Sequence, residues 1–354
     1  MPRATSQRRP RRKGPAERPS APYVFSRLAP VQTTPVYDTY WRFAVERQAI
    51  LLRRARGAPA PWTKDPVLLR HKFTNAYRAA DRVSQFLIAH VIYQGSAQAD
   101  EVVFRVLLFK LFNKIETWEL LQQRLGELSW RRFEASQYAA ILSGARAAGT
   151  RIYSPAYIMP SARSAFGSAE KHRNHLALIE HMMRDRVTTK ITKAASLGGV
   201  YATLRSYPSL GPFLAFQMAI DLNYSPIIDF DEMSFVVPGP GALDGIAKCF
   251  STRAGLNEVD IIKLVADRQD AEFQSRGLTF EPLGHRRLQL VDCQNLFCEV
   301  DKYARVAHPE VQGLSGRTRI KQVFTPKREL LKLWFPPKWG VNEVLSKQLQ
   351  QVPR

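Results

Sequence analysis

Between Glu101 and Leu125 the chain is apolar on nearly every side of a helical wheel: Phe104, Leu107, Leu108, Phe109, Leu111, Phe112, Ile115 and Trp118 leave only a narrow polar stripe. A helix of that kind belongs at the centre of a folded protein, with other elements packed round it. The stripe is Lys110, Asn113, Lys114 and Thr117. Polar groups on a buried helix must find partners or line a cavity, which makes Lys110 and Asn113 candidate site residues. Helical periods recur from Tyr37 to Arg56, from Lys72 to Tyr93, over 126–150 and from His172 to Met183. The expectation is an all-α fold. At 354 residues and 45% hydrophobic content the chain can bury one large core or two modest ones. Gly57–Pro66 reads as a loop, and 151–169 as an aromatic loop (Tyr153, Tyr157) with room for a nucleotide.

Two polar stripes stand out on the other helices. In Lys72–Tyr93, Asn75, Arg78, Arg82 and Gln85 recur at i, i+3, i+7 and i+10 opposite Phe73, Tyr77, Phe86 and Val91. Paired Arg side chains there suit phosphate oxygens, or simply face solvent. In Asp292–Tyr303, Cys293, Leu296, Phe297 and Val300 make a core face, while Asp292, Asn295, Glu299 and Lys302 share the other. Mixed signs on one stripe suit a network, or a site for a zwitterion or phosphate. His172 and His175 lack the i, i+4 spacing of a helical metal site. The three cysteines form neither a disulfide framework nor a zinc or iron–sulfur pattern, and suit a reducing compartment. No metal or cofactor is expected, with Mg2+ an admissible addition.

The formal charge is +21. Residues 1–20 carry seven basic side chains against Glu17, and residues 313–354 carry nine against Glu329 and Glu343, so the body between them is still basic by about eight charges. A polyanion is the expected partner, and nucleic acid the commonest. No run of about 18 apolar residues appears, and the Arg- and Pro-rich start does not read as a secretory signal, so neither membrane nor export is expected and the cytoplasm is the expected site. Residues 1–22 read as a disordered basic tail, 35–308 as the helical catalytic domain, and 313–354 as a basic arm. In that arm Arg317, Arg319 and Lys321 are candidate DNA contacts. Its Trp334, Phe335 and Trp339 suit stacking on bases, or packing on the body.

From Tyr207 to Ile220 the sequence writes a helix end, a tight turn at Ser209-Leu210-Gly211 and a new helix from Pro212. Gly tolerates a positive φ in such a turn, and Pro suits the first helical position. The backbone N–H groups at that helix start can hold a DNA phosphate, which makes Ser209 and Gly211 candidate contacts. Asp229 and Asp231 follow 18 and 20 residues beyond Gly211. The layout resembles the helix-hairpin-helix DNA glycosylases, in which a Leu-Pro-Gly-Val-Gly turn precedes the catalytic Asp by about twenty residues. Here the first Gly of that turn is missing and two Asp residues compete for the position.

Four blocks carry a more specific likeness: Lys72–Gln85, Leu107–Trp118, Asp229–Gly241 and Asp292–Tyr303. Together they resemble the α-glutamyl/putrescinyl thymine pyrophosphorylase family of phage DNA hypermodification, over about residues 35–308. That family is distantly similar to the helix-hairpin-helix glycosylases and shares its helical domain with 5-hydroxymethyluracil DNA kinases. The resemblance implies a glycosylase-like helical domain and a transferase that acts after such a kinase on double-stranded DNA. An amino acid such as glycine, or a polyamine, would replace pyrophosphate on a pyrophosphorylated 5-hydroxymethyluracil. Arg78, Arg82 and Lys110 would then meet the leaving group, Asp229 first and Asp231 second would serve as base, and Glu299 and Lys302 would hold the amine. A glycosylase, a non-catalytic DNA-binding module and a kinase are the alternatives. The chain contains no Gly-x-x-x-x-Gly-Lys-[Ser/Thr] phosphate loop, which counts against the last.

Overall fold

The computed structural model describes residues 30–155, 159–326 and 331–350. The two expectations for residues 1–22 and for Tyr157 therefore lie outside the described residues. A two-residue strand, β1 (Gln32–Thr33), leads into α1 (Pro35–Ala55), whose start is fixed by Thr34: its Oγ1 accepts from the Val36 N–H at 3.2 Å, and Pro35 fills the first turn. α2 (Pro66–Arg70) is capped by Asp65. After it come a 3-10 turn at Arg78–Ala80, α3 (Arg82–Phe86) and a π-helical turn over Leu87–Ile92. Next are α4 (Ala99–Phe112), α5 (Ile115–Leu125), α6 (Ala135–Ala147), α7 (Arg163–Phe166), α8 (Lys171–Arg184), α9 (Val187–Thr192), α10 (Leu197–Arg205) and α11 (Pro212–Asn223). α12 (Pro240–Cys249) runs into β2 (Phe250–Thr252), which pairs antiparallel with β1. α13 (Glu258–Ser275), α14 (Leu290–Ala307) and α15 (Asn342–Gln350) complete the order.

The helical expectation holds, with informative breaks. The continuous helix expected over Lys72–Tyr93 is interrupted from Lys72 to Tyr77. There the backbone groups are satisfied by side chains instead of by a helical ladder: Arg47 donates to the carbonyls of Phe73 and Thr74, Asp81 accepts from the Asn75 N–H, and Asp292 accepts from the Arg78 N–H. The expected helix 101–125 is split at Asn113, which is left-handed (φ 49°) and ends α4. Every residue from Glu101 to Phe112 is buried, as its all-round apolar pattern requires.

α4 is packed by α8, α9 and α11, while α1, α12 and α13 pack against α14. The α12–α14 crossing is tight because Gly245 lacks a side chain: a Cβ there would lie 2.0 Å from the Phe297 carbonyl oxygen. The C-terminal segment does not hang free. Phe335, Val341 and Leu345 are buried in the same core as α1 and α4.

Candidate active site

Between the α4 group and the α14 group lies a cluster of buried ionisable side chains. Arg78, on the 3-10 turn, donates from Nε to Gln217 Oε1 (2.7 Å), from Nη1 to the Tyr224 hydroxyl (3.0 Å) and from Nη2 to Asp221 Oδ1 (2.7 Å). Lys110 Nζ on α4 lies 2.8 Å from the other Asp221 oxygen. Arg78, Lys110 and Asp221 are 5%, 3% and 1% exposed, so this is a closed ionic arrangement with two cations on one carboxylate. The N–H of Arg78 is held in turn by Asp292, which also accepts from the Gln289 N–H at the start of α14. Burial outweighs those two bonds and pushes the Asp292 pKa up to about 6.

Tyr224, at the end of α11, joins this cluster to a second one. Its ring lies beside the Arg78 guanidinium on one side and edge-on to Trp339 on another. The Arg286 guanidinium stacks 3.6 Å over the Trp339 ring centroid and pairs with Glu232 at 3.0 Å. Burial raises the Glu232 pKa despite that pairing. Three acids (Asp221, Glu232, Asp292) thus meet three bases (Arg78, Lys110, Arg286) around one buried tyrosine.

The residues singled out in the sequence fall into separate places. Arg78 and Lys110 come together, and Asn113, 4% exposed, closes α4 one turn beyond Lys110. Arg82 does not join them: its side chain is 57% exposed and sits 3.5 Å from Glu116. Asn75, Glu299 and Lys302 belong to a network that fastens the 73–81 segment. Asn75 accepts from Arg47, Glu299 accepts from the Thr74 N–H, and Lys302 Nζ pairs with Glu299 at 2.7 Å while lying over the Phe73 ring. Asp229 is 79% exposed and 3.4 Å from Lys338 Nζ. Asp231 is exposed and caps a turn by accepting from the Met233 N–H.

At the hairpin the left-handed position is Ser209 (φ 66°), whereas Gly211 has φ −65° and caps α11. The reading of Gly211 as the positive-φ residue is thereby corrected. What its missing side chain provides is space, since a Cβ there meets nothing within 4 Å. Arg317, Arg319 and Lys321 are exposed on an extended segment. That segment is fastened to the body: Ser315 N–H donates to Asp244, Arg305 to the Arg319 carbonyl, and residues 322–324 pair with 70–72. Trp334, Phe335 and Trp339 pack on the body, the second of the two roles open to them in sequence. Among the described residues no group of three or more His, Cys, Asp or Glu is arranged to hold a metal, and no helix is long and apolar enough to cross a membrane.

Asp221, Gln217, Tyr224 and Glu232 were not singled out by the sequence. A signal existed: Gln217, Asp221 and Tyr224 fall at i, i+4 and i+7, one face of an otherwise apolar helix.

This arrangement of helices carries a known sequence family. Residues 34–313 match the family described as the 5-hmdU DNA kinase, helical domain, and the chain belongs to that family. It is 26% identical over 289 residues to a 5-hmdU DNA kinase of Bacillus phage SP10, covering 76% of this chain and 45% of that protein. The chain therefore spans less than half the length of that relative. No solved structure matches.

Proposed function

We propose that this protein is a transferase of thymine hypermodification, acting on DNA whose 5-hydroxymethyluracil carries a pyrophosphate. The amine of an amino acid or polyamine attacks the exocyclic methylene, the carbon–oxygen bond breaks, and pyrophosphate leaves with the bonding electrons. The proton shed by the new carbon–nitrogen centre passes to Asp229, or to Asp231. The observation that carries the reading is the pairing of Arg78 with Lys110 in a protein of the 5-hmdU DNA kinase helical family. A fixed guanidinium and ammonium, kept from water, stabilise charge developing on a phosphate leaving group far better than solvated ones do. Asp221 neutralises both in this structure, so on this reading the pyrophosphate takes its place.

DNA binding is assigned to the basic body, to Arg317, Arg319 and Lys321, and to the α10–α11 turn, which on this reading acts as a helix-hairpin-helix. Open space beside Gly211 lets a phosphate approach the N–H groups of α11. The target base leaves the duplex, because its 5-substituent must reach buried groups.

A second reading follows from the name of the relative: the domain serves phosphorylation of 5-hydroxymethyluracil in DNA. One preparation separates the two. The protein is incubated with DNA containing 5-pyrophosphoryloxymethyl-deoxyuridine and mixed amino acids and polyamines, or with 5-hydroxymethyl-deoxyuridine DNA and ATP, and the nucleosides are weighed. A nucleoside carrying an amine in place of pyrophosphate, formed far more slowly but still measurably with Asp229→Asn, is the expected result. Phosphate transfer from ATP would replace it with the kinase reading, and release of free base would make the protein a glycosylase.

A further inference from the structure

The loop that carries Asp229 is held from outside the family-matched region. Lys338 reaches it from the C-terminal segment, beyond residue 313 where the match ends. Of the three N–H donors of its ammonium, one goes to the Ser225 carbonyl (2.9 Å) and one to the Ile228 carbonyl (2.6 Å), which leaves the third facing Asp229 Oδ1 at 3.4 Å. An ion pair with so exposed a carboxylate is weak when both partners move freely. This ammonium does not, because two backbone carbonyls fix it and its side chain is only 17% exposed. The chain on either side is anchored as well: Phe335 is fully buried, and Trp339 is packed between Tyr224 and Arg286. On the inner side of the same loop, Tyr93 donates to the Tyr224 carbonyl, and Asn223 exchanges hydrogen bonds with both backbone groups of Phe230.

We infer that Lys338 is the positioning residue for Asp229, and that the C-terminal segment 334–340 completes the site that the family-matched helices leave unfinished. The assignment rests on Asp229 being the base of the proposed transfer. Lys338 ties the ends of the 225–228 turn together and holds the carboxylate where an amine bound at the substrate methylene can give up its proton.

The test uses the full chain with Lys338→Met, Lys338→Arg, Asp229→Asn and the Lys338→Met/Asp229→Asn double variant. Two readouts are taken: steady-state amine transfer to pyrophosphorylated DNA, and amide hydrogen exchange over residues 225–232. Lys338→Met is expected to lower kcat about tenfold with KM for DNA within about twofold, and to speed exchange in the loop but not in α11. Arginine should recover most of kcat, since it can still bridge the two carbonyls. In the Asp229→Asn background the Met substitution should cost nothing further, the mark of two residues acting through one step. Unchanged loop exchange in Lys338→Met, or a full additional loss in the double variant, overturns the inference. If the wild type transfers no amine, the function proposed above fails, and the exchange measurement alone decides whether Lys338 holds the loop.

Discussion

Lys110 Nζ lies 2.8 Å from Asp221 Oδ2, with both side chains at most 3% exposed. Because Arg78 holds the other oxygen, Asp221 pairs with two buried cations at once. Asp221→Asn should therefore destabilise the protein by about 3–5 kcal/mol, the usual result of leaving buried charge uncompensated. Lys110→Met should cost less, since Asp221 keeps Arg78. Urea unfolding of the two variants checks the order, and equal costs would show that water reaches the cluster.

Two glycines should respond oppositely to alanine. At Gly245 the new Cβ would meet the Phe297 carbonyl oxygen at 2.0 Å, so α12 must move off α14, and the variant should lose about 3 kcal/mol or more, or fail to accumulate as soluble protein. At Gly211 the space is open and φ is −65°, so stability should change by no more than about 0.5 kcal/mol. On the proposed reading of the α10–α11 turn as a phosphate contact, DNA affinity should nevertheless fall in Gly211→Ala, because the methyl group would obstruct that approach. Fluorescence anisotropy on duplex DNA, set beside a melting curve, separates the two effects.

His175 should stay neutral well below the usual imidazole range. Its ring is 1% exposed, with Nε2 2.8 Å from the Pro160 carbonyl and Nδ1 2.9 Å from the Tyr153 hydroxyl, and burial lowers its pKa from 6.5 to about 4. Between those values the unfolded chain binds a proton that the folded one does not, so this group's contribution to stability is lost as pH falls from 6.5 towards 4 and is intact above 6.5. Asp292 works in the opposite sense: its pKa rises from 3.8 to about 6, so the folded state binds the extra proton and stability falls as pH rises across that window. Nitrogen chemical shifts should report one neutral His175 tautomer, protonated at Nε2, down to about pH 5, and a midpoint near 6.5 would contradict the burial argument. For Asp292, replacement by Asn should remove the loss of stability between pH 4 and 6, read from urea midpoints.

Arg317, Arg319 and Lys321 are exposed, so replacing all three by Ala should leave stability within about 0.5 kcal/mol of wild type. If they touch phosphates, the slope of log affinity against log salt should become shallower by about 0.9 for each phosphate no longer neutralised, with no change in sequence preference. An unchanged slope would move the DNA surface elsewhere on the basic body.

The sequence by itself determined that the protein is helical, that the segment after Glu101 lies at its centre, that a tight turn precedes Pro212, and that the surface is basic. Each of these is written in residues a few positions apart, because helical periodicity, turn chemistry and net charge are local or additive properties. The start of α13 is local in the same sense, since Asn257 and Asp260 form a capping box ahead of it. Half of the ionic cluster could also be seen, since Lys110 sits on a stripe that a buried helix must satisfy. Tertiary structure alone decided the other half. Asp229 and Asp231 stand out in sequence as an acidic pair beside a turn, yet the carboxylate facing Arg78 and Lys110 is Asp221, which shares one face of an otherwise apolar helix with Gln217. Tertiary structure likewise decided that 72–77 is not helical, because the side chain taking the Arg78 N–H is Asp292, 214 residues further along the chain. A bond across that separation is stable only once both helix groups have packed and shut out the water that would otherwise satisfy the same N–H, and no local pattern of residues encodes that exclusion.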